Sequence, residues 1–163
     1  MCTTLISYNL NSDYPIVIAS NRDEFYDRPT LNAHFWDEYP NVIGGIDEKY
    51  LGTWLGITLE GKIGILTNYR DPANYRKNLK SRGILLKNFL TTNISIDSFS
   101  KTLMNEKNAY NGYNIIFGDV NKLVYYSNIE NKIKMLSSGI YGLSNAFLNT
   151  PWPKVEKGKE LLG

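Results

Sequence analysis

The hydrophobic period of this chain changes twice, and the order of those changes restricts its fold more than any other feature. In the first third, apolar runs are short and broken by turn formers. Residues 3 to 10 and 15 to 20 flank Asn11-Ser12-Asp13, and Leu55-Gly56-Ile57-Thr58-Leu59 is separated from Lys62-Ile63-Gly64-Ile65-Leu66-Thr67 only by Glu60-Gly61. Connections this short join antiparallel strands, so both pairs are expected as hairpins. The period then becomes helical. Ser81 stands where it can cap a helix that gathers Ile84, Leu85, Phe89 and Leu90 on one face, and a second helix near 96 to 106 uses Phe99, Leu103 and Met104. Strand patterns return at 113 to 118, 122 to 127, 132 to 137 and 140 to 144, divided by Asp119-Val120-Asn121 and Asn128-Ile129-Glu130-Asn131. The last residues, 158 to 163, read as part of a helix. Strands, then helices, then strands predict an α+β protein of stacked sheets with helices outside.

No repeat or linker interrupts residues 1–163, and 42% hydrophobic with 13% aromatic content suffices for one core, so a single domain is expected. Every apolar run is far shorter than the ~20 residues that cross a bilayer, and the N-terminus lacks the basic and apolar regions of a signal peptide. The chain is therefore read as cytoplasmic, without a transmembrane segment. A net charge of +2, with both signs interspersed, gives no general footprint for nucleic acid. One cysteine excludes an internal disulfide, and one cysteine with one histidine does not make an ordinary zinc cage, so no metal is expected. Gly44-Gly45 and Gly52-Thr53-Trp54 lack the strand–glycine–helix context of a nucleotide-binding loop and read as turns. His34, between Ala33 and Phe35, reads as structural or exposed.

The lone cysteine directly follows the initiator methionine. Removal of Met1, which a small second residue permits, would leave Cys2 with a thiol nucleophile and a free α-amine, titrating near ~8.5 and ~8 respectively. One residue would then hold both nucleophile and base. A second cluster, Ala19-Ser20-Asn21-Arg22-Asp23-Glu24-Phe25-Tyr26-Asp27-Arg28-Pro29, follows the apolar run ending at Ala19.

These residues carry a resemblance. With Met1-Cys2-Thr3 and Asn21 to Pro29 go Gly52-Thr53-Trp54-Leu55-Gly56, Leu66-Thr67-Asn68-Tyr69-Arg70, Ser81-Arg82-Gly83, Tyr110-Asn111-Gly112-Tyr113-Asn114, Gly142-Leu143-Ser144-Asn145 and Thr150-Pro151-Trp152-Pro153-Lys154-Val155. In this content and order the chain resembles the NRDE-motif family, which includes the transport and Golgi organisation protein 2 group. The resemblance implies an N-terminal-nucleophile hydrolase-like αββα sandwich. It also implies that the chain is C-terminally truncated, holding the N-terminal two-thirds of the family's usual length as one NRDE-type domain.

Within that superfamily the sequence is most similar to the Cys-type amidases, among them penicillin V acylases, bile-salt hydrolases and ceramidase-like enzymes. The similarity implies that Cys2 attacks a carbonyl, that its α-amine carries the proton, that Asp23 orients the amine, and that Asn68 and Asn145 donate to the oxyanion or hold the amine. Asn21 and Arg22 fall in the same motif. The chain departs from the amidases at Ser20, where they place an arginine beside the thiol. If side chains alternate through the segment, Asn21 and Asp23 face one way and Arg22 the other, so Arg22 is expected to pair with Glu24 or Asp27 instead. The basic stretch from Tyr69 and Arg70 to Arg82 follows Asn68 directly and is the choice for receiving a carboxylate or phosphate of the substrate. Core packing is the default for Trp36, Trp54 and Trp152, with Trp54 taken as a pocket wall.

Two functions follow. One is an amide or thioester hydrolase or acyltransferase acting through Cys2 on a small acyl substrate, with no cofactor. The other, implied by the Golgi-organisation relatives, is a non-catalytic binding or trafficking protein handling a lipid-like ligand or haem, for which only Cys2 or His34 would serve as axial ligand.

Overall fold

The computed structural model describes residues 2–163. Ten strands and three helices follow in the order β1 (Thr3–Tyr8), β2 (Ile16–Asn21), β3 (Thr30–Trp36), β4 (Tyr39–Asp47), β5 (Leu55–Thr58), β6 (Ile63–Asn68), α1 (Gly83–Thr91), α2 (Ile96–Asn105), β7 (Tyr113–Gly118), β8 (Leu123–Ser127), β9 (Lys132–Met135), β10 (Gly139–Leu143) and α3 (Pro153–Leu162). The expected α+β class holds. β10, β1 and β2 form a three-stranded antiparallel sheet, and β3 to β9 form a seven-stranded antiparallel meander in chain order.

Strand alternation distributes side chains between two cores. Ile6, Tyr8, Tyr141 and Leu143 of the small sheet meet Ile65, Ile116, Leu123 and Tyr125 of the large one. The opposite face of the large sheet presents Leu66, Ile115, Phe117 and Tyr126 to Leu86, Phe89, Phe99 and Leu103 of α1 and α2. Phe89, Phe99 and Phe117 touch mutually, with ring centroids 4.9 to 5.4 Å apart, which fastens both helices to β7. α3 covers the outer face of the small sheet. Helix α1 can lie close because Gly56 and Gly64 are paired across β5 and β6. A Cβ at Gly64 would stand 2.1 Å from Leu86 Cδ1, and one at Gly56 would stand 2.6 Å from Leu90 Cδ1.

Several boundaries move. β1 ends at Tyr8 because Asn9 takes a left-handed φ of 52°. The hairpin across Glu60-Gly61 forms, with Gly61 at φ 89°, a conformation that glycine adopts without penalty. Ser81 does not cap α1: Arg82 holds the N-cap position, with no side-chain cap bond. On α1 Leu86 is buried where Ile84 was expected, and on α2 Met104 is 40% exposed. Strands β3 and β4 carry no clear strand signal in the sequence. Register shifts between Leu31 and His34 and between Phe35 and Trp36 break the two-residue period there.

Candidate functional site

Cys2 leads into β1, the central strand of the small sheet, so its main chain is held from both sides. Its carbonyl accepts hydrogen bonds from Ser144 Oγ at 2.5 Å and from Lys154 Nζ at 3.1 Å. The Asp23 backbone N–H donates to Sγ at 3.4 Å, and the thiol points toward the Asp23 carbonyl at 3.8 Å. The half-buried thiol opens on a cleft of about 310 Å³. Burial pushes it above the usual thiol range, Glu24 adds to that, and Arg22 and Lys154 pull in the opposite sense.

Each residue of the Asn-Arg-Asp-Glu motif has a separate task. Asn21 Oδ1 accepts the Thr3 N–H at 3.0 Å, which clamps β2 to the strand behind Cys2. Arg22 lies under Trp54, its guanidinium carbon 4.4 Å from the ring centroid, and donates to Thr30 Oγ1 at 3.0 Å. Arg22 pairs with Glu24 as expected, at 3.8 Å, but its other carboxylate is Asp47 of β4, also at 3.8 Å, rather than Asp27. Arg28 joins the same cluster, reaching Glu24 at 2.8 Å and bonding Asp47. Trp54 thus stands over this cluster as a cleft wall, whereas Trp36 is buried and donates Nε1 to the Gly44 carbonyl.

Asn68, at the end of β6, lines the Cys2 cleft and a second, more open cleft of about 620 Å³. Among the described residues its side-chain amide has no hydrogen-bond partner. Asn145 lines neither cleft. It donates Nδ2 to the Asn68 carbonyl at 2.8 Å, and its own carbonyl accepts the Arg70 N–H at 2.8 Å, so it ties the ends of β6 and β10 together. Tyr69 and Arg70 line the second cleft, where Tyr69 packs on Phe147 with centroids 4.9 Å apart. Cys2, Asn21, Arg22, Asn68 and Trp54 therefore share one cleft, and Tyr69 and Arg70 sit next door across Asn68.

Sequence reasoning passed over Lys154, and it reached Arg82 only as the end of the basic stretch that starts at Tyr69 and Arg70. Both belong to motif blocks, but neither block states where its cation points. Arg82 lines both clefts and donates Nη1 to the Gly112 carbonyl at 3.0 Å. No carboxylate among the described residues lies within ion-pair distance of it, and burial pulls its pKa down. Its position follows from Gly52 and Gly83, whose backbones meet closely: a Cβ on Gly52 would be 2.5 Å from the Gly83 carbonyl carbon. The first cleft holds Arg22, Arg28, Lys49, Lys77, Lys80 and Arg82, and the second adds Arg70, Arg76 and Lys107. Those are nine of the chain's 18 basic residues, against Glu24, Asp47 and Asp71 of its 16 acidic ones. A sequence net charge of +2 conceals this asymmetry.

Haem does not suit this lining. An apolar macrocycle needs apolar walls, and the cleft walls are mainly polar and charged. His34 lies on β3 with Nδ1 2.7 Å from the Asn32 carbonyl and lines neither cleft.

The fold and the cleft define an α+β protein of stacked antiparallel sheets whose lone cysteine faces a polar, cation-rich cleft. The family model for Transport and Golgi organisation 2 matches residues 1–163, and the chain belongs to that family. It is 42% identical to the Transport and Golgi organization 2 homolog of Mus musculus and 41% identical to the Transport and Golgi organization protein 2 homolog of Homo sapiens. Each alignment covers 91% of this chain and 56% of the relative. Identity to Transport and Golgi organization protein 2 of Drosophila melanogaster is 29%, over 90% of this chain and 57% of the relative. The chain thus spans just over half the length of the curated relatives it matches. Among the described residues no helix is long and apolar enough to cross a membrane.

Proposed function

We propose that this chain carries a cytoplasmic acyl-transfer site of N-terminal-nucleophile type, in which Cys2 cleaves an amide or thioester of a small, negatively charged acyl compound. The observation that carries the reading is the Cys2 thiol opening on the same cleft as the unengaged Asn68 amide. The helix-and-sheet layering around it accords with the αββα sandwich of such hydrolases.

Once Met1 is removed, the α-amine of Cys2 takes the thiol proton. The thiolate then forms the C–S bond to the substrate carbonyl, and the Asn68 amide donates to the resulting oxyanion. Collapse breaks the C–N or C–S bond of the leaving group, which receives the proton from the amine. Water then hydrolyses the acyl-cysteine thioester to a carboxylic acid and restores the thiol. Asp23, whose backbone brackets Sγ, would orient the amine, and that adjacency supports the role. Asn145 acts through Asn68 as a positioning residue. Arg82, with Arg70 across the shared rim, receives the anionic part of the substrate.

The raised thiol supports a strict order of events: with Met1 in place the sulfur stays protonated at neutral pH, and processing supplies the base. Intact-mass analysis before and after brief exposure to acyl thioesters and phenylacetyl amides, with peptide mapping, tests this. Loss of the Met1 mass and an acyl adduct on Cys2 are expected, and Asn68→Ala should slow adduct formation by about 100-fold. A Met1-free protein that no acyl donor modifies would refute the mechanism.

The same raised thiol and the engagement of Arg22 by two carboxylates favour a second reading, a non-catalytic carrier of an anionic, lipid-like ligand. Under it a Cys2→Ala protein retains ligand in a pull-down.

A further inference from the structure

Ser20 leaves the thiol without the neighbouring arginine, and Arg22 is drawn to Glu24, Asp47 and the Trp54 ring. We infer that Lys154, from the first turn of α3, is a positioning residue for Cys2: it holds the cysteine main chain through its carbonyl and supplies the positive charge that Ser20 does not. This inference rests on the acyl-transfer reading of the site.

Three features of the fold converge on it. First, Lys154 follows Pro153, the first residue of α3. A cation in the opening turn of a helix is disfavoured by the partial positive charge of the exposed N–H groups, so helix stability does not account for a lysine there. Second, the register of α3 on the small sheet is fixed by two glycines. A Cβ on Gly142 would stand 2.5 Å from Val155 Cγ1, and one on Gly158 would stand 2.6 Å from Leu5 Cδ1. The helix therefore lies close along β1 and β10, with its first turn at the Cys2 end. Third, Lys154 Nζ donates to the Cys2 carbonyl at 3.1 Å, beside the Ser144 hydroxyl at 2.5 Å, with the Trp152 ring 5.4 Å from Nζ. Two donors on one carbonyl fix the peptide that carries the nucleophile, and one of them is charged. The influence runs both ways: Lys154 draws the thiol toward its ionised form, while burial lowers the ammonium's pKa and Cys2 raises it. The other charges acting on the thiol are the N-terminal amine and Arg22, which favour its ionised form, and Glu24, which opposes it.

Because the chain has one cysteine, alkylation by iodoacetamide reports on Cys2 alone and requires no turnover. Its rate should be followed against pH in the wild-type protein and in Lys154→Gln, Lys154→Met and Lys154→Arg, with thermal unfolding as a check on folding. In Lys154→Gln, which keeps a donor but loses the charge, the profile should move to higher pH and the rate near neutrality should fall about five-fold. Lys154→Met should fall at least as far, and Lys154→Arg should follow the wild type. Folded Gln and Met variants that titrate with the wild type would overturn the inference, as would an Arg variant displaced as far as Gln. Failure of both neutral variants to fold would assign Lys154 to the seating of α3 instead and also overturn it. An unacylated wild type with a displaced Gln profile would sink the acyl-transfer reading while leaving the role of Lys154 intact.

Discussion

Substituting Asn145 separates two contributions that the fold places on one side chain. Its Nδ2 donates to the Asn68 carbonyl at 2.8 Å, while its Oδ1 is buried without a hydrogen-bond partner. Asn145→Ala strands the carbonyl, which costs ~1–3 kcal/mol for a buried group, toward the low end here because Asn68 is only half-buried. It also removes an acceptor whose desolvation of similar size, ~1–3 kcal/mol, already burdens the native state. The two nearly cancel, so the net loss should stay within about 1 kcal/mol, or ~2–4 °C in Tm. Asn145→Asp is nearly isosteric and should behave quite differently. Its carboxylate sets a charged oxygen against the Asn68 carbonyl and leaves the other oxygen as undonated as before, a loss of roughly 3 kcal/mol or more. Protonation restores a donor, so the folded-state pKa of the new carboxyl lies above the ~3.9 of a free one. A group raised in this way contributes fully below the free value and loses its contribution as pH rises through the raised one. The gap between the Asp and wild-type proteins should therefore shrink as the pH is lowered from about 7.5 to about 5. Urea unfolding followed by circular dichroism, at both pH values and with unchanged m, measures it. An Asp variant as stable as the Ala variant at the higher pH, or a gap that ignores pH, would refute this account of the β6–β10 tie.

Other perturbations address the remaining parts of the molecule. Since burial raises the Cys2 thiol above its unfolded value of ~8.5, its contribution to stability is complete below that value and disappears as pH climbs through the folded one. The alkaline limb of wild-type stability should accordingly be steeper than that of Cys2→Ser, and parallel limbs would contradict it. Gly64→Ala, whose new methyl meets Leu86 Cδ1 at 2.1 Å, should cost ~1–3 kcal/mol, and Leu86→Ala in the same chain should recover part of that in a double-mutant cycle. Arg82→Gln should weaken binding of inorganic pyrophosphate about ten-fold by titration calorimetry, with a stability loss limited to the ~1 kcal/mol of its hydrogen bond to the Gly112 carbonyl, because it has no carboxylate partner to lose. Equal affinities would place the anion elsewhere.

The legible parts of the fold were those in which one strong local signal decided the outcome. Glu60-Gly61 between two apolar runs left room only for a hairpin, and the helical period through Leu85, Phe89 and Leu90 and through Phe99 and Leu103 marked two amphipathic helices. β3 and β4 escaped because register shifts break their pairing, and because β3 is an edge strand whose residues are mostly exposed. The Ser81 cap was a sound local inference that tertiary packing overrode, since the close meeting of Gly52 and Gly83 sets the start of α1 one residue later than a Ser81 cap would. At the site, Cys2, Asn21 and Asn68 are marked by their motifs. Whether an amide is engaged or free is decided across strands, and this separates Asn145 from Asn68. Cation placement was the least legible, because nine basic residues drawn from four separate stretches of chain meet only after folding.

The Asn-Arg-Asp-Glu motif, met as a sequence, invites a reading in which its charged members act on substrate. Their contacts assign most of that charge to architecture. Arg22 and Arg28 share Glu24 and Asp47, two cations against two carboxylates, and within the cluster Arg22 and Glu24 pull the thiol in opposite directions. Its members come from the β2–β3 connection and from the far end of β4, and β3 lies between them in sequence. The cluster therefore closes the edge of the large sheet against the cysteine end of the small one. If that is its work, Glu24→Gln should leave Arg22 and Arg28 competing for Asp47 alone. Arg28, which bonds Asp47 directly, would keep it, while Thr30, which receives the Arg22 Nη1 at 3.0 Å, and the Trp54 ring would hold Arg22. The strand behind Cys2 would remain clamped by Asn21 to Thr3. Loss of Glu24 should then lower stability by ~1–3 kcal/mol and speed Cys2 alkylation near neutrality, because a carboxylate that holds the thiol up has been removed. A direct acid or base role for Glu24 predicts the reverse pattern, lost acyl transfer with unchanged stability and an unchanged alkylation rate. Measuring the three quantities on one variant tells scaffold from catalyst.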